Sequence, residues 1–286
     1  MTLGAKFFAL SPERRALAFE QAAAGQAGQA VILGKDFWVS WLLGLLFSLP
    51  QVAPFLVFKG GTSLSKVFGV IDRFSEDIDL CLVPEFVGAD AAGFDALASR
   101  VKRDAAVLEM QRLCADKART VVQPALEDAI CAALGQAPAG QWLHYVLDVD
   151  AKSPILYFRY PTTQSTGFAY VAREVKLELG TLTDQQPTAR YPIAPLLAQA
   201  YPALFVGWAC EVVALELQRT FWPMWLNVIV WWTGKAVCLR GVGRVMTWRA
   251  KVLSGWCHRQ TAAQTWRAIT PPCAPCSCLS HLLLTS

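Results

Sequence analysis

The chain has 286 residues, 54% of them hydrophobic, so it can bury a sizeable core in one large domain or two small ones. Its net charge of +4 permits an anionic partner without requiring one. Nine unevenly spaced cysteines argue against a disulfide framework, and the apolar runs at 39–49 and 221–232 fall short of the roughly 20 residues a spanning helix needs. No signal peptide is expected, because charge interrupts the N-terminus before an apolar core forms. A cytoplasmic protein with reduced thiols and no membrane partner follows.

Ser11-Pro12-Glu13 supplies an N-cap, a proline at the first helical position and a first-turn acid, which predicts a helix to about Ala24. A break at 25–29 precedes a second, largely buried helix at 35–49. The wholly apolar run 55–58 reads as a strand covered on both faces. Gly60-Gly61 is expected to turn the chain into a short helix at 62–68, and 78–83 is the next strand. A long helix from Ala91 to about Leu134, interrupted at Pro124, leads to strands at 143–149, 155–160 and 168–179. A polar loop at 181–191, a short helix at 194–200, a strand at 211–215 and the start of a helix at 217–222 complete the pattern. The fold class is α+β, with a mixed sheet flanked by helices.

The chemistry gathers in "KGGTSLSKVFGVIDRFSEDIDL", residues 59–80. Glycines between a buried strand and a helix allow close backbone approach to a ligand, and the first N–H groups of the helix favour phosphate. Thr62 and Ser63 are placed to cap that helix or donate to phosphate oxygens, and Lys66 adds a point charge. The Walker A spacing is absent. Asp77 and Asp79, two apart at the start of a strand, share one face while Ile78 and Leu80 turn into the core. Side-by-side carboxylates repel unless a cation lies between them, and Mg²⁺ takes such oxygens together with substrate phosphates. A two-metal phosphoryl-transfer site usually has a third carboxylate. Glu178 in "REVKLELG" is the candidate, and it shares its strand face with Lys176. Glu76 is expected to face away from the site.

"FKGGTSLSK", "RFSEDIDL" and "VKLELG" together resemble the AbiEii-type nucleotidyltransferase toxins, a branch of the polymerase-β-like nucleotidyltransferase superfamily. The likeness runs from about Gly34 to Trp222. It implies a polymerase-β-like fold over residues 1–222 and an enzyme that binds a nucleoside triphosphate (NTP) with two Mg²⁺ ions held by Asp77, Asp79 and Glu178. The nucleoside monophosphate is transferred to an acceptor hydroxyl, in some relatives the 3′ end of tRNA. It further implies nucleotide contacts from Gly60, Gly61, Thr62, Ser63, Lys66, Arg73 and Ser75, catalytic roles for Asp77, Asp79, Glu178 and Lys176, and a cognate antitoxin with a winged-helix-like domain. Phage defence by abortive infection is the implied setting. The rival readings are a remnant that binds only nucleotide or antitoxin, and phosphotransfer to a protein. Where relatives often carry an acid before the Lys-Asp-aromatic-Trp sequence, Gly34 stands here.

The last 70 residues break the pattern. All 22 acids lie at or before Glu216, so residues 1–216 carry −4 and residues 217–286 carry +8. The same 70 hold seven of the 11 tryptophans and five of the nine cysteines. Relatives continue after "RTFW" with a charged helical bundle. Sudden loss of acids with a surge of Trp, Cys and Arg is what a shifted reading frame produces, so 223–286 is expected to be an atypical extension. Cys257, His258, Cys273, Cys276 and Cys278 match no common zinc finger. Nucleic-acid binding through this tail lacks the periodicity to present its side chains, and a membrane-surface anchor at 221–232 lacks a charged face to balance its tryptophans.

Overall fold

The computed structural model describes residues 3–24, 27–71, 77–89, 99–138, 140–161, 174–182 and 185–220. All of them belong to the first of the two units into which the chain divides, Met1–Val228. Arg73, Ser75 and Glu76, the start of the strand expected from 168, and everything expected beyond Thr220 lie outside the described residues.

Helix α1 (Ala5–Phe8) was not expected from the sequence; it inserts Phe7 against Phe37, with ring centroids 4.5 Å apart. Helix α2 (Pro12–Ala22) starts as predicted, with Ser11 Oγ accepting from Arg14 N at 3.3 Å. Helix α3 (Ala27–Leu46) begins eight residues before its expected start and brings Phe37, Trp38, Trp41, Leu42 and Leu46 into the core. By length and composition alone its stretch Gln29–Leu46 could cross a membrane, more than the run 39–49 indicated, but 67% of it is buried inside the fold.

Strand β1 (Leu56–Lys59) runs directly into helix α4 (Gly60–Lys66), and β2 (Asp77–Leu82) follows, then the short helix α5 (Pro84–Val87). Helices α6 (Arg100–Lys117) and α7 (Gln123–Leu134) are joined by a π-helical turn, Ala118–Val122. The expected interruption at Pro124 therefore falls in the turn before it. The proline ring crowds the carbonyl four residues back, at Thr120, and the widened turn accommodates it.

Strands β3 (Leu143–Leu147), β4 (Pro154–Arg159), β5 (Glu174–Gly180), β6 (Thr188–Pro192) and β7 (Glu211–Leu215) complete the sheet, with helix α8 (Leu197–Ala200) between the last two. The seven strands are ordered β3-β4-β5-β2-β1-β7-β6, with parallel pairs β2/β5 and β1/β7 in an otherwise antiparallel sheet. Strand β6 corrects the polar loop expected at 181–191. Thr-Ala-Arg-Tyr-Pro lacks an apolar alternation because an edge strand pairs on one side only and tolerates polar residues and a terminal proline.

One sheet face is the core. Leu56, Phe58, Ile78, Leu80, Val175, Leu177, Leu156 and Phe158 point into a single cluster with α3, α6 and α7. The opposite face has a small apolar patch, Val57, Cys81 and Leu215, at one end. Its other end is polar.

Candidate active site

The polar end is set by strand register. Lys59 of β1 pairs with Asp79 of β2, and Asp79 pairs in turn with Glu178 of β5. Two residues along, Asp77 pairs with Lys176. Directly paired residues project from the same face, and neighbouring strands lie about 4.8 Å apart. Lys59, Asp79 and Glu178 thus form one row across three strands, with Asp77 and Lys176 starting a second beside it. Ile78 and Leu80, on the other face, are fully buried, which locks this register: a slip of one residue would exchange them for the carboxylates.

The turn expected at Gly60-Gly61 is instead the first two residues of α4. Gly60 has φ +77°, a conformation that side-chain-bearing residues rarely adopt. A Cβ there would also stand 1.9 Å from Asp79 Oδ2. Thr62 Oγ1 donates a short hydrogen bond to the Asp77 carbonyl, tying α4 to the start of β2. Ser63 Oγ donates to the Gly60 carbonyl at 2.8 Å. Both side chains are buried with their hydroxyl protons engaged within the fold, so their tethering role displaces the expected donation to phosphate. The N-cap residue of α4, Lys59, makes no side-chain capping hydrogen bond.

Lys66 also has a different part from the one expected. Its Nζ lies 2.6 Å from Asp36 Oδ1, with side chains 8% and 4% exposed. Asp36 Oδ2 accepts from Leu196 N at 2.7 Å. This buried pair fastens α4 to α3 and to the segment before α8. A charge so deeply committed is not available to a phosphate, so the assignment of Lys66 to nucleotide contact is corrected to a structural one.

Burial pushes the Asp79 carboxyl up to about 6; Lys59 and Lys176 pull it down, while Glu178 and Asp77 push it further up. Lys176 is held above the ordinary lysine range. Burial opposes its charge, but the hydrogen bond to Glu178 and the carboxylates of Glu178 and Asp77 outweigh that.

Among the described residues, no three His, Cys, Asp or Glu side chains are gathered into a ready metal cage. In this arrangement the Lys176 ammonium pairs with Glu178 Oε1. The donor set nevertheless fits a divalent cation. Asp77, Asp79 and Glu178 offer hard oxygen ligands on one face, and their mutual repulsion at Asp79 is what such a cation relieves.

A mixed α+β sheet with Asp-x-Asp opening one strand, a third acid on its parallel neighbour and a glycine-started helix against them defines a nucleotidyltransferase fold. Residues 41–223 match the model of the nucleotidyl transferase AbiEii toxins of type IV toxin–antitoxin systems, and the chain belongs to that family. It is accordingly a nucleotidyl transferase toxin, a class with a nucleoside triphosphate as substrate and an antitoxin as partner. No curated protein matches the chain.

The sequence pointed to Asp77, Asp79, Glu178, Lys176 and the glycines, and the structure brings these together. It overlooked Lys59, whose alternation with Val57 places it on the polar face, and Asp36, an acid inside an apolar helix. Tyr157, the β4 partner of Lys176, carries no local signal at all.

Proposed function

We propose that the chain transfers a nucleoside monophosphate from an NTP to an acceptor hydroxyl, with the 3′ end of tRNA as the first acceptor to test. The carrying observation is the direct pairing of Asp79 with Glu178, with Asp77 on the same face and Gly60 against them. Asp77, Asp79 and Glu178 would hold Mg²⁺, two ions in the full site, which neutralises the triphosphate and lowers the pKa of the attacking hydroxyl. The uncapped first turn of α4 receives phosphate oxygens, with Gly60 and Gly61 permitting close approach. Lys59 adds positive charge beside Asp79. Lys176 orients Glu178 through its ammonium. The acceptor oxygen bonds to the α-phosphorus as the bond to the β-phosphate bridging oxygen breaks; the hydroxyl proton passes to the Glu178 carboxylate and on to solvent, and pyrophosphate leaves. Arg73 and Ser75 are proposed to contact the phosphates from the segment that joins α4 to β2.

Incubation of the protein with labelled NTPs, Mg²⁺ and total tRNA, beside Asp79→Ala, tests this reading. Label in RNA that disappears in the variant supports it, and label that survives the substitution refutes it. With antitoxin added and the label on the γ-phosphate, label in antitoxin protein with none in RNA would establish phosphotransfer to a protein instead.

A second reading rests on residues 223–286. They contain no acid, and the family match stops at 223. If they replace a helical bundle through a frame shift, the chain is a remnant that binds nucleotide or antitoxin without completing an acceptor site. Translating the other two frames of the coding DNA decides this: a charged helical sequence beginning near Glu-Lys supports the remnant, and its absence from both frames sinks it.

A further inference from the structure

The second polar row does not stop at Lys176. Lys176 pairs with Tyr157 of β4, and Tyr157 pairs with His144 of β3, so Asp77, Lys176, Tyr157 and His144 lie in line on one sheet face. At the usual strand spacing, Tyr157 is about 10 Å and His144 about 15 Å from Asp77. Tyr157 is half-buried and His144 exposed; Arg159, on the same face two residues from Tyr157, is exposed beside Glu174 at 3.9 Å.

We infer that Tyr157, with His144 beyond it, is the acceptor wall of the site and takes the unpaired end of a nucleic-acid strand, whose base stacks on the Tyr157 ring. The inference rests on the nucleotidyl-transfer reading above. In-line displacement puts the entering and leaving oxygens on opposite sides of the α-phosphorus. α4, which receives the phosphates, borders the carboxylates from the β1 side, where Gly60 touches Asp79. Pyrophosphate therefore leaves toward α4, and the acceptor approaches across β5, β4 and β3. What it meets there is an aromatic ring flanked by the imidazole of His144, with Lys176 and Arg159 close by, ion-paired to Glu178 and Glu174. Basic side chains that can exchange a carboxylate for a backbone phosphate, plus a ring on which a base can stack, suit a single strand, since a base inside a duplex presents no free face.

The wall is also rigid, as a stacking surface should be. Leu156 and Phe158, flanking Tyr157, are fully buried, and the start of β3 is pinned by Glu127, whose carboxylate accepts from Trp142 N at 2.8 Å and Leu143 N at 2.9 Å.

The test uses the full chain and a fluorescein-labelled single-stranded RNA of about 12 nucleotides with a free 3′ hydroxyl, within the ~4–16 nucleotides such surfaces cover. Anisotropy without NTP reads RNA binding, and a fluorescent NTP analogue with Mg²⁺ reads the nucleotide side. Tyr157→Ala and Tyr157→Leu should weaken RNA binding roughly tenfold. Tyr157→Phe should keep it within about twofold, and all three should bind the NTP analogue like the parent chain. A blunt duplex of the same sequence should bind less tightly than the single strand. RNA binding unchanged in both Ala and Leu variants overturns the inference. So does a Phe variant as weak as Ala, which would make the hydroxyl beside Lys176 the active feature, and so does a duplex bound as tightly as the strand. If Ala alone loses NTP binding, it has misfolded and the Leu variant decides. Failure of the parent chain to bind the NTP analogue would refute the nucleotidyl-transfer reading, while the RNA measurements still judge Tyr157.

Discussion

A side chain on Gly60 and the carboxylate of Asp79 cannot share the site: a Cβ on Gly60 would lie 1.9 Å from Asp79 Oδ2. Gly60 also holds φ +77°. Gly60→Ala therefore carries two penalties, backbone strain and displacement of Asp79. It should destabilise the fold by about 1–3 kcal/mol and abolish nucleotide transfer. Urea unfolding and labelled-NTP assays on the same preparation check both, and transfer at the parent rate would show that Asp79 need not sit where it does.

The Asp79 carboxyl is raised from 3.8 to about 6. The folded state thus holds its proton more tightly than the unfolded state, so Asp79 favours folding at low pH and that contribution is lost as pH rises through about 6. Asp79→Asn should be more stable than the parent above pH 6, by at most about 3 kcal/mol, with the gain vanishing below 3.8. Thermal melts across pH read this directly. Mg²⁺ should raise the melting temperature of the parent at pH 8 and leave Asp79→Asn nearly unmoved.

Lys59 lowers the Asp79 pKa, so Lys59→Ala should lift it further. The expected result is an upward shift of the acid limb of the rate–pH profile and, because the same shift weakens the folded state wherever Asp79 is ionised, a lower urea midpoint at neutral pH that returns toward the parent's below 3.8. An unshifted limb would remove Lys59 from the site.

The Lys66/Asp36 pair offers a contrast. Removing one partner of a buried ion pair leaves the other charge uncompensated, which costs about 3–5 kcal/mol. Lys66→Met and Asp36→Leu should each destabilise strongly, Asp36→Leu more, because it also orphans Leu196 N. The double variant should recover much of the loss. A Lys66→Met chain of parent stability with a raised KM for NTP would restore the phosphate contact that the geometry denies.

The stretch 59–80 shows how far one-dimensional reading reaches. Asp77 and Asp79 share a face because strands alternate with period two, and Glu178 was legible for the same reason. Lys66 was misread because a lysine one turn into a glycine-started helix looks the same whether it meets phosphate or carboxylate; Asp36, thirty residues upstream, decides which. The π-turn before Pro124 and the edge strand β6 escaped because each depends on neighbours and not on local pattern.

The sequence alone determined the α+β class and which acids share a strand face, because buried strands and helices must repeat apolar positions at periods of 2 and 3.6 and those periods are written in the order of residues; the family was legible in the motifs around residues 59–80 and 174–180. Only the tertiary structure decided which residues share a row. Lys59, Asp79 and Glu178 meet in one row, and Asp77, Lys176, Tyr157 and His144 in the next, through pairing among five strands that are not all consecutive in the chain. Register across strands is a property of the packed sheet, fixed by burial of the opposite face, and no local stretch of sequence contains it.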